Sequence, residues 1–561
     1  MDQLARFASR RAPGLFRHGC VSSNQPLASR AGLDVLQRGG NAADAAVAAA
    51  AVMAVTEPAS TGLGGDAFCI FYDAAAGAMK GLNGSGRSPA ALTAELLASR
   101  GFSEHHPLPE RHPLTAMVPG TAAAWADTVQ QFGSGKFSLA ELLAAAVELA
   151  TNGWAVTPVS ADQWQGSLKL LSEHRRGSEL LLDGRAPRIA EVMTLPTMAA
   201  SLKELGEKGG KQFYVGRVGQ AIVDEVQHYG GVLGMEDMAR HASVLASPIS
   251  ATYKHVTVWE MPPNGLGVTT LLALNILEGF SLAGMDRSGA EYLHLLIEAL
   301  KLSFADSLHY VADPACGEVP VAALLSKDYA AARRSLISAD KANNYPVHGN
   351  PEIKDGGDTI YLCAVDKDGN ACSFINSNYM EFGTGIVPQN CGFAVHNRGA
   401  LFSLDPKSAN CVGPSKRCQH TIIPSMVTRT SDGALLACYG IMGGFMQPQA
   451  QVQVVLGMVD FGLDPQQALD TPRFKINVTN SQPWGVSLEA EVPGAVAKAL
   501  AAKGHAVSWP VAGYDRAVFG RGHVITRGAW FASGSRRDVD GDSPVWWAAA
   551  DPRCDGFPYG Y

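Results

Sequence analysis

The feature that most constrains this chain is an abrupt change of text at residue 358. From about residue 326 the sequence is polar and poor in large apolar side chains, and it ends in Gly356-Gly357-Asp358. That is the composition of an exposed connector. Immediately afterwards TIYLCAVD alternates, KDGN supplies a hairpin turn and ACSFINS alternates again, so a strand begins at Thr359 and returns as a hairpin. A hydroxyl residue therefore opens a buried-type strand directly after a connector.

A cut before Thr359 would place its hydroxyl beside a free α-amine whose ordinary pKa is close to neutral. Such an amine accepts the hydroxyl proton, so one residue supplies both nucleophile and base. On the local sequence alone the same residues read first as a strand-initiating Thr after a loop. In GIMGGFMQPQ a strand ends at Gly443-Gly444 and a helix follows. Successive N–H groups at such a turn can face a developing oxyanion, although an ordinary strand-to-helix turn reads the same. Gly62-Leu63-Gly64-Gly65-Asp66 is a loop capable of forming an anion nest. It is not a dinucleotide fingerprint, because the strand and helix order around it is wrong.

Elsewhere, residues 22–58 predict two helices split by Gly39-Gly40, the second capped by Asn41 and Ala-rich enough for close packing. A strand and a second strand follow in DAFCIFYD and GAMKGLN. PGTAAAWADTVQQFG, SLAELLAAAVELATNG and GAEYLHLLIEALKLSFADSLHY carry helical apolar spacing. After the junction, CGFAVHN, TIIPSMVTRT and ALLACYGIM read as strands, and PQAQVQVVLGMVDFG and PQQALDTP as helices. The chain is thus helix-rich before 358 and strand-rich after it, which suits sheets sandwiched between helices.

The 561 residues carry a net charge of -7 with both signs interspersed, so no basic face for nucleic acid is expected. The ten Cys show no zinc spacing, and several lie in apolar strand-like runs, as expected of reduced thiols in a cytoplasmic protein. The longest apolar stretch, residues 45–55, is far short of a membrane span. The N-terminal arginines suit an import leader, but Asp2 counts against one. DVDGD at 538–542 lacks the distal Glu of a calcium loop and reads as a turn. No metal and no organic cofactor is expected.

TGLGGDAF, the GGDT junction followed by VDKDGNA, then EFGTGIV, SKR, IMGG, VDFGLDPQQALDTPRF and a terminal DPRCDG resemble the γ-glutamyltransferase family of N-terminal-nucleophile hydrolases, in the same order. The resemblance implies an α+β fold, a four-layer αββα sandwich. It implies a precursor cut between Asp358 and Thr359 into a heavy part, 1–358, and a light part, 359–561, which stay associated. By motif position Thr359 resembles the nucleophile, Ser377 a hydroxyl contacting its amine, and Gly443 and Gly444 the oxyanion glycines.

The family's glutamate pocket is not preserved. Ser85 stands where an Arg would clamp the α-carboxylate, the nearest arginine being Arg87. Leu401 stands where an Asp would hold the α-amine, Arg398 replaces a nearby Gln, and His420-Thr421 replace a Ser-Ser pair. A buried Leu cannot hold an ammonium. Arg398 instead offers a planar fork for a carboxylate, with His420 as a second donor. The pattern resembles the branch containing oxamate amidohydrolase and glutaryl-type acylases.

The expected function is therefore hydrolysis of a small carboxylated amide through an acyl-enzyme on Thr359. Rival readings are a glutathione hydrolase or γ-glutamyltransferase, and an uncleaved, catalytically silent binding protein. The expected partners are the small-molecule amide and the two fragments of the precursor, assembled as a homodimer of processed heterodimers, with neither nucleic acid nor membrane.

Overall fold

The computed structural model describes residues 11–346, 358–479, 483–532 and 545–561. Two seven-stranded sheets, antiparallel at every pairing, form its centre. One runs through Gly14–Phe16, Trp546–Ala550, Arg521–Arg527, Leu435–Met442, Ser425–Arg429, Val256–Glu260 and Ile249–Tyr253. The other runs through Pro558–Gly560, Cys20–Ser23, Asp358–Val365, Ala371–Tyr379, Asp66–Asp73, Ala78–Asn83 and Val244–Ala246.

The strand after the connector shows why the sheets stack. Its alternate residues Ile360, Leu362 and Ala364 join a core shared with helices. Tyr361, Cys363 and Val365 join a second core shared with Met426, Cys438 and Ile525 of the facing sheet. Both faces are apolar because both are covered. Against the outer face of this sheet lies the helix Ala42–Thr56, every residue of which is buried, capped by a reciprocal Asn41–Asp44 box. The other sheet is covered by Gly267–Leu277, Ala290–Tyr310 and Met446–Phe461. The order of layers is helix, sheet, sheet, helix, an α+β sandwich.

Strands from both sides of the junction interleave in each sheet, with those after 358 at the centre and those before it mostly toward the edges. Two local expectations need correction. CGFAVHN is no strand: residues 391–397 run as an extended loop whose N–H groups go to scattered partners, Val395 to Ile386 O and His396 to Gly64 O. The connector begins with a helix, Lys327–Arg334, capped by Ser326 and anchored by an Arg333–Asp306 ion pair of 2.9 Å. Its last part, 347–357, lies outside the described residues, as does the 538–542 turn.

Candidate active site

Thr359 sits at the start of the strand Asp358–Val365, fully buried. Asp358 pairs with Tyr379 and Ile360 with Asn376, so Ser377 and Asn378 together oppose Thr359 alone. This bulge turns the Ser377 hydroxyl onto the Thr359 hydroxyl, Oγ to Oγ1 3.1 Å. Ser377 Oγ also accepts the Tyr379 N–H at 2.8 Å.

The strand Leu435–Met442 ends in Gly443 (φ +121°) and Gly444 (φ +57°), and a helix opens at Met446. A side chain at Gly443 would meet the backbone of Gly520 at 3.1 Å. The same turn places Gln447, whose Nε2 reaches Thr359 Oγ1 at 3.5 Å while its Oε1 accepts the Ile423 N–H at 3.0 Å. The glycine pair is thereby tied to the candidate nucleophile through one side chain.

Arg398 opens a short 3-10 turn, Arg398–Leu401, and is entirely buried. Its guanidinium lies over the Tyr379 ring, 4.8 Å from the centroid, and Nη1 donates to Thr421 Oγ1 at 2.8 Å. Nε and Nη2 are buried with no hydrogen-bond partner among the described residues. Burial lowers its pKa, and the Asp66 charge offsets part of that. Tyr379 is held at φ +74°, a strained value for a bulky side chain.

His420 donates from Nε2 to Asp66 Oδ2 at 3.0 Å, because its Nδ1 accepts the Ile422 N–H at 3.3 Å. Burial and the Arg398 charge push its pKa down to about 3. Burial would raise Asp66, but His396, His420 and Arg398 bring it well below the usual carboxylate range. Asp66 also accepts the Gly86 and Gly120 N–H groups at 3.0 and 3.1 Å, and it pairs with Ser377 across the sheet. The His420 ring is thus fixed between Asp66 and the Ile422 N–H, and the next residue, Thr421, accepts from Arg398.

Thr359, Ser377, Arg398, His420, Thr421 and the Gly443-Gly444 turn are joined by these contacts. Arg87 stands apart: Nη1 donates to Asp313 at 2.8 Å and to Ser415 O at 3.0 Å. Ser85 is tied to Asn83 Oδ1 at 2.7 Å, and Leu401 is buried. Sequence reasoning missed Gln447, Tyr379 and the pairing of Asp66 with His420. The one signal for Gln447 is its place in the first helical turn after the glycines.

His294, Glu298 and His505 bring ligand atoms within 4.8 Å of one another, which spacing along the chain did not indicate. The Lys301 ammonium already stands there, 2.9 Å from Glu298 Oε1 and 3.2 Å from His505 Nδ1. These residues therefore make a poor metal site.

Two facing antiparallel sheets between helices are the layering of the N-terminal-nucleophile hydrolases. The gamma-glutamyltranspeptidase family profile matches residues 28–561, and the chain belongs to that family. It is 37% identical to the glutathione hydrolase-like YwrD proenzyme of Bacillus subtilis, over 88% of this chain and 92% of that one. It is 31% identical to the oxamate amidohydrolase proenzyme of Klebsiella pneumoniae, over 97% and 98%. The crystal structure of cephalosporin acylase from Bacillus halodurans matches with a TM-score of 0.88 and 38% identity, covering 99% of this chain and 98% of that one. The chain is accordingly an enzyme, a hydrolase of this family. No helix among the described residues is long and apolar enough to cross a membrane.

Proposed function

We propose that this protein is a self-processing amidohydrolase that uses Thr359 to hydrolyse a small amide bearing a carboxylate. Thr359 Oγ1 attacks the carbonyl carbon of Asp358, the C–N bond breaks as the ester forms, and water hydrolyses the ester. This yields the chains 1–358 and 359–561 and leaves Thr359 with a free α-amine. In turnover the amine takes the hydroxyl proton, the oxygen attacks the substrate carbonyl, and the Gly443-Gly444 turn faces the oxyanion. The amine leaves protonated, and water frees the acid from the threonyl ester.

The observation that carries the substrate class is Arg398, a buried guanidinium with two nitrogens, Nε and Nη2, unpaired among the described residues, linked to Thr359 through Tyr379 and Ser377. A carboxylate with no α-amine satisfies that fork, whereas Leu401 offers nothing to an ammonium. The relatives named for oxamate and acylase activities accord with this choice. A cytoplasmic site of action and a homodimer of processed heterodimers belong to the same reading.

Intact-mass analysis and N-terminal sequencing of purified enzyme test the first step, with Thr-Ile-Tyr-Leu the expected new terminus. An amide panel tests the second, with oxamate and glutaryl amides expected to turn over faster than γ-glutamyl amides. Amide hydrolysis surviving in Thr359→Ala would overturn the nucleophile, and a preference for γ-glutamyl amides would overturn the substrate class.

A further inference from the structure

Behind the loops that hold Asp66 lies a cavity of about 430 Å³ walled by Arg87, Arg240, Arg417, His241, Asp237 and Val118. Its wall carries three guanidiniums against one carboxylate. That carboxylate is already engaged, since Asp237 Oδ1 and Oδ2 accept the Ala90 and Gly234 N–H groups at 2.9 Å each. Asp313 is shared between two cationic residues, taking Arg87 Nη1 at 2.8 Å and the Arg417 N–H at 3.0 Å. The Arg240–Glu236 pair is solvent-exposed and offsets little.

Donors remain unused on this wall. Arg417 is buried and spends Nε on Ser85 O at 2.9 Å and Nη2 on Ala242 O at 3.5 Å, which leaves Nη1 without a bond among the described residues. Arg87 spends only Nη1. His241 Nε2 is buried with no partner among the described residues. Like charges held together in a half-enclosed space gain from a shared anion, and guanidinium forks match oxyanions in pairs.

We infer that this cavity is a binding site for a small organic dianion, whose oxyanion heads, carboxylate or phosphate, are held by Arg87, Arg240 and Arg417. The volume is ample for several heavy atoms beyond a single inorganic ion. The site is separate from Arg398, but its back wall is the support of the candidate catalytic group. Gly86 and Gly120 donate to Asp66 from loops adjoining the cavity, and Arg417 lies three residues before His420.

Calorimetric titration of the purified enzyme with succinate, glycerol phosphate and sodium chloride tests this inference. At least one of the two organic dianions is expected to bind, with an affinity at least tenfold weaker in Arg87→Gln and in Arg240→Gln and changed less than twofold in Arg398→Met. Both arginines are exposed enough for their replacements to fold, and an unchanged thermal midpoint without ligand checks this. Binding lost in Arg398→Met but kept in Arg87→Gln would place the anion at the catalytic group and overturn the inference. Equal heats with chloride, or none with either dianion, would overturn it as well. None of these outcomes depends on turnover, so the proposed reaction stands or falls separately.

Discussion

The Thr359 and Ser377 hydroxyls meet at 3.1 Å because a bulge sets two residues of one strand against one of the next. Since Ser377 already accepts a backbone N–H, its own proton is suited to the Thr359 oxygen or, after cleavage, its lone pairs to the new amine. Ser377→Ala is expected to slow both fragment formation and turnover by about 10- to 100-fold, in line with loss of one positioned proton-transfer partner. Ser377→Thr should keep most of both rates. Time-resolved denaturing gels and initial rates decide it, and an unslowed alanine variant would remove Ser377 from the chemistry.

The two glycines of the turn should differ sharply in tolerance. Gly443 stands at φ +121°, a region essentially closed to side chains, with Gly520 3.1 Å from where a Cβ would sit. Gly444 stands at φ +57°, which Asn adopts at modest cost. Gly443→Ala is expected to abolish maturation, and Gly444→Asn to permit it with reduced kcat. Equal processing in the two variants would show that the turn does not control the oxyanion.

The layers were legible because apolar periodicity survives in strands and helices that are each covered on a known face. The capped helix Ala42–Thr56 and the hairpin after 358 are where the sequence put them. Thr359 and the glycine pair stood out as candidates because each sits at an element boundary, whereas Ser377, inside the strand Ala371–Tyr379, stood out only through its place in the family motif. The Asp66–His420 bond joins residues 354 apart, and no local pattern encodes it. CGFAVHN misled because an apolar run does not reveal whether a neighbouring strand is available to pair with it. The helix Lys327–Arg334 was marked by its Ser326 cap, which the polar text around it obscured.

Arg398 should report substrate binding rather than maturation. Removing a guanidinium that makes charge-assisted bonds to a carboxylate costs about 2 kcal/mol, or a roughly 30-fold rise in KM. Arg398→Lys keeps the charge but loses the fork, so an intermediate rise is expected, with cleavage into two fragments intact in both Arg398→Met and Arg398→Lys. Unchanged steady-state constants for the best substrate would exclude Arg398 from the pocket.

A cut before Thr359 should not separate the fragments. The strand Cys20–Ser23 lies between Asp358–Val365 and Pro558–Gly560 and is hydrogen-bonded to both, while Gly14–Phe16 pairs with Trp546–Ala550. Each fragment alone would expose apolar strand faces in both sheets. Cleaved enzyme is expected to elute as one species in size-exclusion chromatography and to split only in denaturant. Separation in native buffer would contradict the interleaved sheets.

Stability should fall on mild acidification, and the buried imidazoles set the window. His420, His505 and His523 are each pushed down to about 3, chiefly by burial, with Arg398 adding to the effect at His420 and Lys301 at His505. In the unfolded chain each returns to about 6.5. Between those values the unfolded state holds more protons, so their stabilisation is complete above about pH 6.5 and is lost as pH falls toward 3. Glu260 acts in the opposite sense, because burial raises its pKa well above the usual range and the folded state alone keeps that proton. Across these four groups alone the unfolded state holds about two more protons, which contributes a slope of about 3 kcal/mol per pH unit between pH 6 and 4.5. Urea unfolding of the uncut Thr359→Ala chain measures the slope on a single polypeptide. His523→Gln should reduce it by about 1.4 kcal/mol per pH unit, and a pH-independent midpoint across that range would mean that these imidazoles are not held neutral by the fold.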